Sequence, residues 1–298
     1  MRALVTGWFS FEHMGATAGD FLARDVVCDW LGRARFAFDI ALAPPFEGGV
    51  DWSKVDPHDY THLVFVCGPF GRSWEITQFL ERFAACKLIG VNLSMLEPLE
   101  AWNPFHLLVE RDSSMTSRPD LSLLAPSMKV PVVGVVLIDT QPEYGEHDAR
   151  NEANTAIERL IARRECAVVR IDTRLDINRT GLRTASEIES LLGRMDMVVT
   201  TRMHGLVLSI KNGVPVVAVD PVAGGAKVKR QADTLGWPTA FTLGSLSDAA
   251  LDGAYTHCLT KEARAEASAC RARARNYLEE VRDEFVASIA DKAHRHES

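Results

Sequence analysis

Residues 197–236 read MVVTTRMHGLVLSIKNGVPVVAVDPVAGGAKVKRQADTLG. Met197 to Thr200 is a short apolar, β-branched run, which predicts a buried strand. Thr201-Arg202-Met203-His204-Gly205 follows as a polar corner. Leu206, Val207 and Ile210 then recur at helical spacing, and Asn212-Gly213 stops that helix. Val214 to Val219 predicts a second buried strand, with Pro215 near its start where it is tolerated. Asp220 to Gly225 is a glycine-bearing turn, and Ala226 to Leu235 a second helix ended by Gly236 and Pro238.

Strand, helix, strand, helix implies two parallel strands joined by a right-handed crossover. Both strands then finish on one edge of the sheet, where open α/β sheets bind ligands. Arg202 and His204 fall at the end of the first strand, and Gly224, Gly225 and Lys227 past the end of the second. Two helix starts with unpaired N–H groups point to the same edge. Three cationic or potentially cationic side chains beside two helix starts predict a site for an anion, a phosphate or a carboxylate.

Outside this unit the chain alternates in the same way. Arg2 to Thr6 predicts a strand, followed by a loop with exposed aromatics Trp8, Phe9 and Phe11. Thr17 can cap a helix whose face is Phe21, Leu22, Val26 and Trp30, with Gly32 as its stop. His62 to Cys67 predicts a buried strand ending in a glycine turn, Trp74 to Phe83 a helix, and Lys87 to Asn92 a strand. The Pro-containing stretch Ala125 to Lys129 reads as a linker. Beyond it come a strand at Val130 to Ile138, a helix at Ala149 to Arg163 and a strand at Cys166 to Ile171. An Arg- and Asp-rich loop spans Arg170 to Arg183, and Ser186 can cap a helix over Glu187 to Met195. Ser245 to Asp252 reads as a loop with a short helical turn, and Thr260 to Ala290 as one long helix. The expectation is two domains, 1–125 and 126–298, with the helix at 260–290 packing back on the first.

Composition bounds the partners. Apolar residues make up 47% of 298 residues, as in ordinary globular proteins, and the net charge of −7 argues against nucleic acid. No stretch nears the ~18 apolar residues that span a bilayer. The short apolar run after Arg2, interrupted by Glu12 and His13, is not expected to act as a signal segment. Six scattered cysteines without a C-x-x-C pair read as reduced thiols, not metal ligands. These features predict a cytoplasmic protein, or one that meets the membrane only through a partner or substrate, with no metal.

The order TTRMHG, VPVVAVD and AKVKRQADTLG resembles the C-terminal signature of the polysaccharide pyruvyl transferase family. That family carries an S/T-R-x-H-A/G corner, a GVPV strand ending in Asp, and a Lys opening the next helix. Arg202, His204, Asp220 and Lys227 fall on those positions. Weaker matches precede them. Gly19-Asp20 fits an N-x-G-D element in which Thr17 replaces the Asn. Gly68 sits in a glycine turn after a strand, and Arg111-Asp112 resembles the start of an Arg-Asp-x-x-Ser element, with Ser114 next to the place of the usual Ser. The resemblance implies an α/β, glycosyltransferase-B-like fold: two Rossmann-like domains with mainly parallel sheets facing a cleft. It implies transfer of pyruvate from phosphoenolpyruvate to a sugar hydroxyl pair as a ketal, in the making of exopolysaccharide or cell-surface glycans. No cofactor is implied beyond phosphoenolpyruvate as co-substrate.

On this reading His204 and Arg202 carry the chemistry, with Asp20 as base for the sugar hydroxyl. Gly205, Gly224, Gly225 and Lys227 join Arg202 and His204 around the donor anion. Gly19, Gly68, Arg111 and Asp112 line the acceptor cleft in the first domain. One position departs from the family. The strand from Val130 ends Leu137-Ile138-Asp139-Thr140-Gln141, where the family carries an Arg, so Arg170 or Arg174 would have to substitute. Two other readings therefore stay open: a nucleotide-sugar glycosyltransferase of the same fold, and a non-catalytic relative that binds an anion.

Overall fold

The computed structural model describes residues 1–139, 142–224 and 226–294. The chain divides into two compact units, Met1–Met128 and Lys129–Ser298. Each is an α/β unit built on a five-stranded sheet, and the strands are paired in parallel throughout both.

Unit 1 contains β1 (Arg2–Thr6), α1 (Ala18–Arg33), β2 (Ala37–Ile40), β3 (His62–Phe70), α2 (Trp74–Arg82), β4 (Lys87–Met95) and β5 (Leu107–Val109), with sheet order β2-β1-β3-β4-β5. Parallel neighbours cannot be joined by a hairpin, so crossover segments cover the sheet faces and the inner strands are apolar runs. Two expectations fail here. Phe9 and Phe11 are buried rather than exposed, Phe11 packing edge-on to Phe79 at 5.3 Å between ring centres. The buried face of α1 is Asp20, Ala23, Val26 and Val27, whereas Leu22 and Trp30 face solvent. Small and β-branched side chains allow α1 to lie close to the sheet, and that turns the larger ones outward.

Unit 2 contains β6 (Val132–Val136), α3 (Arg150–Ala162), β7 (Ala167–Arg170), α4 (Ala185–Leu192), β8 (Met197–Thr200), α5 (Met203–Lys211), β9 (Val216–Val219), α6 (Lys227–Leu235) and β10 (Ala240–Phe241), then α7 (Asp248–Cys258) and α8 (Lys261–His294). The sheet order is β10-β9-β8-β6-β7. Every residue of β8 and β9 is buried, and each such valine contributes roughly 1.5–3 kcal/mol by leaving water. Thr184, not Ser186, caps α4, through its hydroxyl and the Glu187 amide at 3.1 Å. Helix α8 buries Ala263, Ala267 and Cys270 and packs on α5, α6 and α7 of its own unit. Among the described residues no helix is long and apolar enough to cross a membrane.

The two units share one strand order. In each, the first strand lies between the second and the third, so successive crossovers leave it in opposite directions. That reversal opens a crevice at the carboxyl ends of β1 and β3 in unit 1 and of β6 and β8 in unit 2.

Candidate functional site

Arg202 stands at the crevice of unit 2. Its extended backbone (φ −115°, ψ 134°) makes it the N-cap of α5, so the helix begins inside the polar corner. Two threonines fix the corner. The Thr200 hydroxyl donates to the Val136 carbonyl at 2.8 Å and accepts the Arg202 amide at 2.9 Å. Thr201 is fully buried; its hydroxyl accepts the Ile138 amide at 2.9 Å and donates to Asn154 Oδ1 at 2.7 Å. Asn154 in turn donates to the Ile138 carbonyl at 2.9 Å, so a side chain from α3 ties the ends of β6 and β8 together.

The first internal bond of α5 runs from Leu206 N–H to Arg202 C=O, at 3.1 Å. The amides of Met203, His204 and Gly205 precede it, where a helix has no acceptor of its own. His204 is exposed in this first turn. The Arg202 side chain is 13% exposed; its Nη1 lies a long 4.0 Å from Asp172 Oδ1, and its buried Nε has no hydrogen-bond partner. Such a guanidinium can still take a strong charge-assisted partner. Gly205 has a second role. A Cβ there would lie 2.1 Å from Thr200 Oγ1, so glycine is what lets α5 approach β8.

The second helix start differs from expectation. Asp220 is fully buried, and its carboxylate accepts the amides of Val222 (3.1 Å), Ala226 (2.7 Å) and Lys229 (2.9 Å). The start of α6 therefore already holds an anion, supplied by the chain itself. Sequence reasoning matched Asp220 to a motif without seeing this role; an Asp closing an apolar strand just before a helix was the available signal. Lys227 opens α6, half-buried, and Gly224 precedes it in an exposed left-handed turn (φ +80°). Gly225 lies outside the described residues. Replacing Asp220 with Asn should cost about 2 kcal/mol, because an amide cannot serve all three N–H groups with charge. A lower urea midpoint with an unchanged slope would show it; an unmoved midpoint would mean that the helix start satisfies itself in another way.

The arginines expected to stand in for the family's missing one are engaged elsewhere. Arg170 forms a two-pronged pair with Glu158 at 2.7 and 3.0 Å, and Arg174 pairs with Asp176. Arg179 is the residue that reaches the end of β6, pairing with Asp139 at 3.2 Å. It belongs to the Arg- and Asp-rich loop of residues 170–183, and its side chain is 72% exposed. That loop is in fact organised by Asp172, which accepts the amides of Arg174 (2.9 Å) and Arg179 (3.3 Å).

In unit 1 a cavity of about 610 Å³ opens at the β1–β3 crevice, with Trp8, Asp20, Gly68, Arg72, Glu97 and Arg111 in its wall. Asp20, Gly68 and Arg111 thus line one cavity, while Gly19 and Asp112 are not in that wall. Gly68 is required twice over: its φ is +88°, and a Cβ would meet the Trp8 ring at 2.3 Å. Asp20 closes a capping box, its Oδ2 accepting both the amide and the hydroxyl of Thr17 at 2.7 Å. Arg111 pairs with Asp112 at 3.1 Å and with Asp120 at 2.8 Å.

Burial alone would raise Asp120, but hydrogen bonds from Arg111, Ser122 and Asn92 outweigh it and hold the carboxyl at about 2. Its stabilising effect is therefore complete above the unfolded-chain value near 4 and fades as pH falls towards about 2. Asp120→Asn should cost about 2 kcal/mol at pH 7. The difference from wild type in urea denaturation should shrink between about pH 4 and 2. An equal loss at both pH values would assign the effect to packing instead. Among the described residues no cluster of His, Cys, Asp and Glu could hold a metal ion.

The model of the polysaccharide pyruvyl transferase family matches residues 130–221, so the resemblance read from the sequence holds over β6 to the end of β9. Arg202, His204 and Asp220 lie inside that span, and Lys227 beyond it. No curated protein sequence matches the chain. Among solved structures it is similar to CalG4, the calicheamicin glycosyltransferase (13% identity, TM-score 0.34, 93% of this chain and 97% of that one). It is also similar to the spinosyn forosaminyltransferase SpnP (11%, 0.36, 93% and 95%). A third is the UDP-GlcNAc 2-epimerase of Methanocaldococcus jannaschii (8%, 0.32, 87% and 93%). Similarity at these levels says nothing of what this chain binds.

Proposed function

We propose that the chain is a pyruvyl transferase that moves the pyruvyl group of phosphoenolpyruvate onto a pair of sugar hydroxyls as a ketal. The observation that carries this reading is Arg202. It is a mostly buried guanidinium with an unpartnered Nε and one long ion pair, at the β6–β8 crevice and beside the open start of α5. The donor brings a carboxylate and a phosphate, and both charges suit that pair of features. Asp220 supports this donor over a nucleotide sugar. A diphosphate would draw on the second helix start as well, and there the chain's own carboxylate already fills the N–H groups.

In the reaction the methylene carbon of phosphoenolpyruvate gains a proton and its C2 becomes oxocarbenium-like. One sugar hydroxyl adds to C2 and loses its proton. The second then bonds to the same carbon as the C2–O bond to phosphate breaks, and its proton passes to the departing inorganic phosphate. His204 is the group in the crevice able to give the first proton near neutral pH. The chemistry needs no further cofactor. Unit 1, with Asp20 in its cavity wall, takes the sugar.

Thermal denaturation with phosphoenolpyruvate, compared with UDP-, GDP- and CMP-sugars, tests the donor. A ligand of the folded state raises the midpoint. Phosphoenolpyruvate should raise it and the nucleotide sugars should not; the reverse pattern would transfer the chain to the glycosyltransferases.

A further inference from the structure

Helix α8 changes character along its length. Its first half turns Ala263, Ala267 and Cys270 inward, with Ala274 half-buried one turn further on. These positions follow the three- and four-residue spacing of one helix face. The same face continues through Tyr277, Leu278, Val281, Phe285 and Ile289, where large side chains replace the small ones. All five are exposed, as is neighbouring Val286; Tyr277 is 64% and Phe285 63% exposed. Beyond Cys270 no described residue of the helix is buried, and the stretch to Ile289 is about 29 Å long at 1.5 Å per residue. At roughly 100 Å² each, the six large side chains expose about 600 Å² of apolar surface, the size of patch that marks a site of association.

The charges around this stripe select its partner. Residues 277–289 carry Glu279, Glu280, Asp283 and Glu284 against Arg282, a net charge of −3. Helices that lie on anionic membranes carry Lys and Arg on their polar face, so the stripe has the wrong sign for such a surface. The stretch just before it is the opposite: Arg271, Arg273 and Arg275, with no acid between them. Arg271, Arg275 and Arg282 also line a groove of about 970 Å³ formed with α5 and α6, whose wall includes the apolar Val207, Ile210 and Leu235. Each copy of the chain thus holds an apolar groove with basic residues in its wall, and an apolar helix face with acidic flanks. The two lie in succession along one continuous helix, which cannot fold back on itself to join them. Some of the charges pair locally, Arg275 with Glu279 at 3.3 Å and Arg282 with Asp283 at 2.8 Å. Arg271, Glu280 and Glu284 enter no ion pair among the described residues.

We infer that two copies of the chain associate about a two-fold axis, the distal half of α8 of each lying antiparallel along the groove of the other. Antiparallel overlap sets the basic stretch of one copy beside the acidic stretch of its partner, whereas parallel overlap would set like charges together. The symmetry makes every contact twice. The two stripes together bring about 1,200 Å² of apolar surface, which is where specific, stable interfaces begin.

Sedimentation velocity of the full chain over a hundredfold range of concentration tests this. The wild type should sediment as two chains that separate on dilution; a single chain at every concentration would overturn the inference. Leu278→Glu/Phe285→Glu should raise the dissociation constant by about 100-fold or more. Both side chains are exposed in one copy, so the fold of that copy does not depend on them. Two charge-reversed variants follow, Glu279→Lys/Glu280→Lys/Asp283→Lys/Glu284→Lys and Arg271→Glu/Arg275→Glu. Each alone should associate about tenfold more weakly, and the two mixed in equal amounts should form a mixed pair within a few-fold of wild-type affinity. That recovery requires both variants to be folded. A pair that ignores the Leu278 and Phe285 changes would place the contact elsewhere, and reversed variants that fail to join on mixing would remove the antiparallel arrangement; either result overturns the inference. Flotation with vesicles of phosphatidylglycerol and phosphatidylcholine addresses the other occupant. A wild type that floats with them and never pairs would assign the stripe to a membrane instead.

Discussion

His204→Ala is expected to lower phosphate release from phosphoenolpyruvate by about 10²–10⁴-fold while leaving donor affinity within a few-fold, as for loss of a proton-transfer group. His204 sits exposed in the first turn of α5, one residue beyond the start of that helix. Its removal should leave the fold intact. Arg202→Ala behaves differently. A hydrogen-bonded partner of a charged ligand contributes about 1.5–3 kcal/mol, so affinity should fall about 10- to 100-fold. Calorimetric titration together with a phosphate-release assay separates the two variants. Wild-type turnover in His204→Ala would remove it from the chemistry. Unchanged binding in Arg202→Ala would move the donor site away from the β6–β8 crevice.

A second large effect is expected at Gly205. An alanine methyl would sit 2.1 Å from Thr200 Oγ1, 2.9 Å from Thr200 Cβ and 3.0 Å from Val136 Cγ1. Neither strand can yield, because the Thr200 hydroxyl is itself bonded to the Val136 carbonyl. Helix α5 must shift outward, at about 3 kcal/mol or more. The shift would also carry Arg202 and His204 away from the crevice. Gly205→Ala should therefore lower both the urea midpoint and donor affinity. The double variant Gly205→Ala/Thr200→Ser retains the clash with Oγ, and Gly205→Ala/Thr200→Val exchanges it for a methyl, so neither should rescue. Recovery of stability in either one would show that the side chain at position 200 can give way at little cost, contrary to a rigid contact.

The central strands were legible because burial on both faces leaves a plain apolar run, as in Met197 to Thr200. The less obvious elements had weaker signals. Strand β10 is two residues long, and β2 is short and only half-buried. Helix α7 was missed because Ala and Gly dilute its pattern, although Ser247 caps it through the Ala250 amide at 3.1 Å. The face of α1 was misjudged because large apolar residues were given priority over the small ones that fit against a sheet.

The cations of the site could be read from residue type and position, since helix starts and strand ends are sequence-local. What governs them could not. Asp220 captures amides up to nine residues away, and Asn154 reaches Thr201 from another helix. Cys67 and Asn92 meet across two strands, and a lone Asn within KLIGVNLSM was their only trace. These are pairings between distant parts of the chain, which local pattern does not encode. Arg179 was passed over for the same reason, because its partner Asp139 is forty residues earlier.

Each hydrophobic core is drawn from one half of the chain. Clusters centred on Phe65 and Val66 belong to the first 128 residues, and the one centred on Val199 and Val217 to the remainder. Both halves also repeat one strand order, so each has a complete scaffold and a crevice of its own. Mutations that alter the unit 1 cavity can then accumulate without disturbing the hydrophobic core of unit 2. Such a chain is open to recombination at Met128–Lys129: a lineage could exchange its front half as a cassette and, on the proposed function, change the acceptor while keeping the group transferred.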